Sequence, residues 1–242
     1  MAEIGLFEAM YTARSLRRLK PDPVPEPMIT RILEAATRAS SGGNAQNWVF
    51  LVVRDPALRG RLGAIYRKAA DEVAEIYAAR GRPAHLTEAQ WRRFMDSGSY
   101  LWSHMGDAPL ILVPCLRQRE MPPPAALPAT VAARYDIHLA YQQRIRGASI
   151  YPAVQNIVLT CRALGLGTVI TTIASLYEDE IKDTLGLPAD VTSFALMPIG
   201  FPHGHHGPLS RRPVAEVAFA DRYGTPWTAV STVPGTPTGT EP

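Results

Sequence analysis

Trp48-Val49-Phe50-Leu51-Val52-Val53 restricts the fold more than any other stretch of this chain. Its residues are aromatic, β-branched or aliphatic without interruption, and Asp55-Pro56 ends the run. An apolar run of strand length with no polar alternation is a strand buried inside a covered sheet. Similar runs recur at Pro109-Leu110-Ile111-Leu112-Val113, Gly167-Thr168-Val169-Ile170-Thr171-Thr172 and Phe194-Ala195-Leu196-Met197-Pro198-Ile199, and residues 214–219 read as a fifth strand. Helical patterns fill the intervals. Residues 5–14 read as a short helix, after which Pro21, Pro23 and Pro25 force an extended stretch. Met28, Ile29, Ile32, Leu33 and Ala36 fall on one helix face. Residues 57–105 read as helical, with Thr87 and Gln90 spaced as a capping box. Val154, Ile157, Val158, Cys161 and Leu164 form the stripe of another helix, which stops at Gly165. Ser175 and Glu178 read as the capping box of a further helix, closed by Gly186 and Pro188. Strands and helices alternate without strict βαβ order. The expected fold class is therefore α+β, a central, mostly antiparallel sheet flanked by helices.

The 242 residues, 46% of them hydrophobic, suffice for one large core. Residues 1–230 are read as a single domain, and residues 231–242, rich in Pro, Thr and Gly, as a flexible tail. The net charge of +3 is mild and the basic residues are scattered, which argues against nucleic acid and suits a small anionic ligand. Cys115 and Cys161 sit in apolar runs and not in a CxxC pair, so they read as buried reduced thiols. The longest apolar run, around residues 108–115, falls far short of the ~20 residues that span a bilayer. The first residues lack the basic start and long apolar stretch of a signal peptide. A soluble, cytoplasmic protein without a membrane partner is expected.

Two polar segments carry the chemistry. Arg14-Ser15-Leu16-Arg17-Arg18 combines guanidinium groups, which bind phosphate bidentately, with a hydroxyl donor. It also fits an ordinary basic helix end that complements the helix dipole. Ser41, Asn44 and Gln46 stand in a Gly-containing loop, and their amides donate and accept along one edge, as a planar ring requires. An ordinary polar turn has the same composition. Arg211 and Arg212 offer a second cationic contact. His203, His205 and His206 lie close together in sequence but have no carboxylate or cysteine nearby, so no metal is expected. Gly165-Leu166-Gly167 lacks the third glycine and the strand-to-helix context of a dinucleotide fingerprint. His85, His104 and His138 have no nucleophile in a recognisable motif.

Taken together, the segments resemble the nitroreductase family of FMN-dependent oxidoreductases over residues 7–227. Arg14-Ser15-Leu16-Arg17 resembles its Arg-Ser-x-Arg phosphate motif. Ala39-Ser40-Ser41-Gly42-Gly43-Asn44-Ala45-Gln46-Asn47-Trp48 resembles its Ala-Pro-Ser-x-x-Asn-x-Gln-Pro-Trp motif. Gln155-Asn156 through Gly165-Leu166-Gly167-Thr168 resembles the helix and strand beside the flavin, and Gly200-Phe201-Pro202 with Arg211-Arg212-Pro213 resembles the closing elements. Three positions depart from the pattern. Ala13 stands where many members have arginine, and Ser40 and Asn47 replace two prolines.

The resemblance implies a three-layer α+β sandwich forming an intertwined homodimer, with FMN at each subunit interface. On this reading Arg14, Arg17 and Arg211 hold the phosphate, assisted by Ser15 and Arg18, with Arg212 beside them. Ser41, Asn44 and Gln46 face the ribityl chain and ring or line the pocket beside them. Thr171 and Thr172 sit where the family presents donors to the reactive side of the isoalloxazine. The flavin carries the chemistry, so no catalytic side chain is expected. The implied activity passes hydride from NADH or NADPH through FMN to a nitroaromatic, quinone or activated alkene in a ping-pong cycle. Dehalogenation, flavin breakdown and non-catalytic flavin storage are the alternatives, as is a different phosphorylated metabolite bound by the same arginines. Residues 118–146, with Tyr135, Tyr141 and Arg144, read as an irregular lid.

Overall fold

The structure is a computed structural model that describes residues 4–227. The tail expected over residues 231–242 lies outside them. The chain divides into two compact units, Met1–Pro208 and Leu209–Pro242.

The first unit is built around β2 (Leu110–Arg117), in which every residue from Leu110 to Leu116 is buried. On one side β2 pairs antiparallel with β1 (Trp48–Val53), in a register running from Trp48↔Leu116 to Val53↔Ile111. On the other side it pairs with β4 (Val191–Ser193) near its end and β5 (Met197–Gly200) near its start. β3 (Gly167–Thr168) pairs with β5, so the sheet runs β1-β2-β5-β3 with β4 beside β2. Every ladder is antiparallel.

Strand periodicity sends alternate side chains of β2 into two separate cores. Leu110, Leu112 and Leu116 pack with α2 (Glu26–Ala36) and α7 (Tyr151–Ala163), through Ile32, Val154 and Ile157. Ile111, Val113 and Cys115 pack with α3 (Pro56–Arg80), α4 (Glu88–His104) and α8 (Glu178–Leu185), through Leu62, Leu101 and Ile181. The result is a helix–sheet–helix sandwich. Burial pushes the Cys115 thiol up to about 12 and raises that of Cys161 as well, so both stay protonated and inert.

Local signals explain the helix ends. Thr87 and Gln90 form the reciprocal capping box that starts α4. Gly81, with φ +68°, ends α3 and divides the long helical stretch. Gly186, left-handed at φ +64°, closes α8. Ahead of α2 stands α1 (Leu6–Thr12).

Four expectations are corrected. The strand read over residues 194–199 is split, because residues 194–196 loop out between β4 and β5. Pro114 of β2, which has no N–H to donate, lies opposite this break and accepts there from Phe194 N at 2.9 Å. The strand at residues 167–172 pairs with β5 only at Gly167 and Thr168, and Thr171 rejoins the sheet by a single bridge to Leu196. Ser175 does not cap α8. Its hydroxyl donates to Thr172 O at 2.7 Å, and the Glu178 carboxylate instead accepts from Ser193 N. Residues 118–146 are largely helical, with α5 (Ala129–Ala132) and α6 (Tyr135–Ile145).

In the second unit, residues 214–219 are not a strand. Val214–Glu216 is a single 3-10 turn, and Val214 and Val217 are exposed, with no neighbouring strand among the described residues to bury them. Phe219 bridges Pro226, and its ring meets that of Tyr223 at 4.7 Å. Among the described residues no helix is long and apolar enough to cross a membrane.

Two stability measurements check this packing. Leu112→Ala opens a cavity where β2 meets α2 and α7, and should lower the unfolding free energy by about 2–5 kcal/mol in chemical denaturation. A Cβ on Gly63 of α3 would stand 2.9 Å from Gly106 N. Gly63→Ala should therefore destabilise by about 1–3 kcal/mol, outweighing the ~1 kcal/mol that alanine gains in a free helix.

Candidate functional site

Residues 13–20 run extended along the β3–β5 edge of the sheet. Ser15 forms a parallel bridge with Thr168, and Leu16 N donates to Thr168 O at 3.1 Å. Lys20 N donates to Phe201 O at 2.7 Å, and Arg18 O accepts from His203 N at 3.0 Å. This docking needs small residues beneath it. A Cβ on Gly167 would fall 2.9 Å from Leu19 Cδ2 and 3.0 Å from Leu16 Cβ. With the leucines holding the strand down, Arg14, Ser15 and Arg18 stay exposed.

The three guanidinium groups have different neighbours. Arg14 Nη2 donates to Pro208 O at 3.2 Å. Arg18 lies over the Tyr100 ring at 3.8 Å, and that ring stacks on His104 at 4.0 Å. Arg17 is half-buried and donates from Nη1 to Ser97 Oγ at 3.1 Å. The structure thus separates Arg17 from Arg14, which the sequence motif sets side by side.

Arg17 faces a cleft of about 200 Å³ between α3, α4 and residues 169–173. Thr171 and Thr172 line it, together with Tyr66, Phe94 and Trp102. The Thr171 hydroxyl donates to Leu196 O at 2.6 Å, which fixes its rotamer. Thr172 is exposed, and its carbonyl accepts from Ser175 N and Oγ. Burial pushes the Tyr66 phenol up to about 12, against the Arg17 charge and a hydrogen bond with Thr171. Burial also lowers the pKa of Arg17. Tyr66, Ser97 and Trp102 were not legible as site residues, because nothing in the sequence brings α3 and α4 to this edge.

The amide loop is built differently. Gly43, Asn44 and Gln46 all take positive φ, at 58°, 53° and 48°. For the two non-glycine residues this conformation costs about 1 kcal/mol each or more. The loop holds it through Ser41, whose hydroxyl accepts from Gln46 N at 3.1 Å, and through Ser149, whose Oγ accepts from Gly42 N at 3.1 Å. Trp48 Nε1 adds a bond to Ser149 O at 2.6 Å. The side-chain amides of Asn44 and Gln46 are exposed and have no hydrogen-bond partner among the described residues.

This loop and the arginine segment occupy opposite corners of the sheet. β2, β5 and β3 lie between Trp48 and Ser15, which is four strand spacings, or about 19 Å. Trp48 is level with Leu116, whereas Ser15, through Thr168 and Ile199, is level with Leu110. The diagonal is on the order of 25 Å, too long for one flavin mononucleotide to bridge within a single protomer.

Arg211 and Arg212 belong to the second unit. Arg212 pairs with Glu216 at 3.0 Å, whereas Arg211 donates only to the adjacent Ser210 O at 2.8 Å. His203 and His205 are exposed. His206 sits against Leu166 O at 3.0 Å, and burial lowers its pKa. Among the described residues no group of three or more His, Cys, Asp or Glu side chains is placed to hold a metal ion.

The chain matches the nitroreductase family model over residues 11–201. An NADH dehydrogenase of Thermus thermophilus is 30% identical over 219 residues, covering 87% of this chain and 93% of the relative. A 5,6-dimethylbenzimidazole synthase of Rhodospirillum rubrum is 27% identical, covering 86% of this chain and 91% of the relative. Among solved structures, a BluB-like flavoprotein of Clostridium difficile superposes with a TM-score of 0.67 at 21% identity, covering 90% of this chain and all of that one. An iodotyrosine deiodinase bound to FMN and 3-iodo-L-tyrosine superposes at 0.63, also at 21% identity, covering 91% of this chain and all of that one. With the antiparallel sandwich and the arginine edge strand already in place, this match makes the chain a member of the nitroreductase family.

Proposed function

We propose that this protein is an FMN-dependent oxidoreductase that takes hydride from NADH or NADPH and delivers it to a small organic acceptor. It works as a homodimer with each flavin held between two copies. The observation that carries this reading is the separation of two complementary half-sites. One corner of the sheet holds exposed guanidinium groups and a serine hydroxyl; the opposite corner holds strained, unpartnered amides. Each lacks a ligand-sized complement within its own protomer, and pairing two copies supplies both.

The residues present fit the cofactor. Arg14 and Arg18, with the Ser15 hydroxyl, suit its phosphate. Arg211 suits it better than Arg212, which is already neutralised by Glu216. Arg17 leaves this set because its guanidinium turns into the cleft beside Thr171 and Thr172. Asn44 and Gln46 of the second copy would read the ring and ribityl chain, with Ser41 holding their loop in shape. When bound, FMN supplies the hydride acceptance and donation, which accounts for the absence of a conventional acid–base pair. Exposed aromatics on α1 support a covering partner. Phe7 is 67% and Tyr11 54% exposed, and their rings touch at 6.0 Å. The exposed Ile137 and Tyr141 of α6, with Arg144 nearby, suit a cover over the shared site.

The acceptor class is a nitroaromatic, quinone or activated alkene. Specialised flavin chemistry is the second reading, since relatives of 24% and 27% identity are named for iodotyrosine deiodination and dimethylbenzimidazole synthesis.

Two experiments test the proposal. Arg14→Ala and Arg211→Ala should each weaken FMN binding by about 1.5–3 kcal/mol, read by fluorescence titration. Undiminished affinity in both variants removes the phosphate assignment, and failure of both NADH and NADPH to bleach the flavin anaerobically removes the oxidoreductase reading. The shared site is tested by mixing Arg14→Ala with Asn44→Ala. Each alone should lose FMN, whereas a mixed dimer should carry one intact site of its two, about one site in four over the statistically reassembled population; no recovery rules out a site shared between copies.

A further inference from the structure

His206 is tied to the protein through one ring nitrogen and left bare at the other. Its Nε2 lies 3.0 Å from Leu166 O. A carbonyl only accepts, so Nε2 carries the proton of the neutral ring and donates it there. Nδ1 is then an acceptor, and it is buried with no hydrogen-bond partner among the described residues. Buried polar atoms are normally paired, so an orphan of this kind asks for a reason.

The ring stands where three segments are held together. Gly207 N donates to Thr12 O, at the C-terminal end of α1, at 3.2 Å. The Thr12 hydroxyl accepts from Arg162 Nε of α7 at 2.7 Å, and Arg162 Nη2 pairs with Glu8 at 3.1 Å. Arg14 rests on the residues that follow the histidine. A Cβ on Gly207 would stand 3.8 Å from Arg14 Cζ, and Arg14 Nη2 donates to Pro208 O at 3.2 Å. Residues 206–208 are therefore the seat of the exposed Arg14 guanidinium, and the His206 side chain bonds that seat to the turn ahead of β3.

The surroundings accept the neutral ring better than the charged one. The charged groups around it are Arg162 from α7, Glu8 from α1, which is already bonded to Arg162, and Arg14 from residues 13–20. Leu166 and β3 bring no titratable group. Burial lowers the His206 pKa, and Arg162 adds to this against the opposing pull of the Leu166 and Thr12 carbonyls. A seated ring with a lowered pKa makes the seat most stable above the ordinary histidine value of about 6.5, and the seat weakens as pH falls through that value.

We infer that His206 is a proton-operated clasp that positions Arg14: neutral, it holds residues 206–208 against Leu166 and α1, and protonated, it leaves this seat and withdraws the support beneath the arginine. The clasp follows from contacts within one protomer. Its effect on a bound phosphate rests on the flavin reading proposed above.

FMN affinity, titrated by fluorescence from about pH 8 to about pH 5.5, tests that effect. His206→Phe cannot bond Leu166 O and should weaken FMN several-fold at about pH 8. His206→Gln carries an amide N–H for the same carbonyl and does not titrate, so it should restore the affinity. The ratio of wild-type to His206→Gln affinity should then fall by up to about tenfold across the range, the protonated excess of an ordinary imidazole about one unit below its pKa. The phosphate's own ionisation near about pH 6 and the exposed His203 and His205 cancel in that ratio. Parallel pH profiles of the wild type and His206→Gln overturn the proposal, as does undiminished affinity in His206→Phe. An NMR titration separates the clasp from the cofactor. The His206 ring should titrate below His203 and His205, and the Gly207 amide should shift with the same midpoint. A Gly207 amide that stays fixed while His206 titrates overturns the clasp whether or not FMN binds. If FMN fails to bind at all, the flavin reading falls and the Gly207 titration alone decides the clasp.

Discussion

Residues 110–116 are buried on both faces of one strand, and the other elements of the first unit take their places from that burial. Even-numbered leucines draw α2 and α7 to one side, and Ile111, Val113 and Cys115 draw α3, α4 and α8 to the other. Two cores separated by a sheet have a cost at the edges, where unpaired backbone groups must be satisfied. The arginine segment does this on one side by bonding through Leu16, Arg18 and Lys20. The cationic residues are therefore displayed by the same hydrogen bonds that close the sheet, and the sheet edge and the exposure of Arg14 and Arg18 rest on one strand.

That arrangement separates features adjacent in the family motif. Arg14 and Arg17 differ by three positions, yet one reaches Pro208 at the surface and the other Ser97 in a cleft. The amide loop goes to the far corner because it leads into β1, the opposite edge strand. On the proposed dimeric reading, symmetry would complete the two halves, a second copy bringing each corner against its complement. Left-handed φ at Asn44 and Gln46 fits this picture, since strained polar residues persist where a ligand or partner repays the strain.

The Arg17 cleft adds a different kind of asymmetry. Elsewhere the protein answers half-buried arginines with carbonyls or a carboxylate, but here Arg17 meets the Ser97 hydroxyl in a cleft whose walls include Tyr77, Phe94 and Trp102.

Much of the fold was legible in the residues themselves. Unbroken apolar runs gave β1 and β2, and the Thr87–Gln90 box and the glycines at 165 and 186 marked helix ends, because these are local effects of backbone conformation and burial, whereas the break at Gly81 inside residues 57–105 was not read. The errors arose where partners decide. Residues 194–199 looked like one strand until Pro114 interrupted its ladder, and residues 214–219 had strand composition but, among the described residues, only the single Phe219–Pro226 bridge to pair with. The site followed the same division. Arg14, Ser15, Asn44 and Gln46 could be picked out by chemistry, but their separation by the width of the sheet, and the meeting of Arg17 with Tyr66 and Ser97, come from long-range packing. Sequence determines which groups are available and how the chain bends locally. Which of them share a site is decided by the stacking of α3 and α4 on β2 and by the strand order, and neither leaves a local trace in the chain.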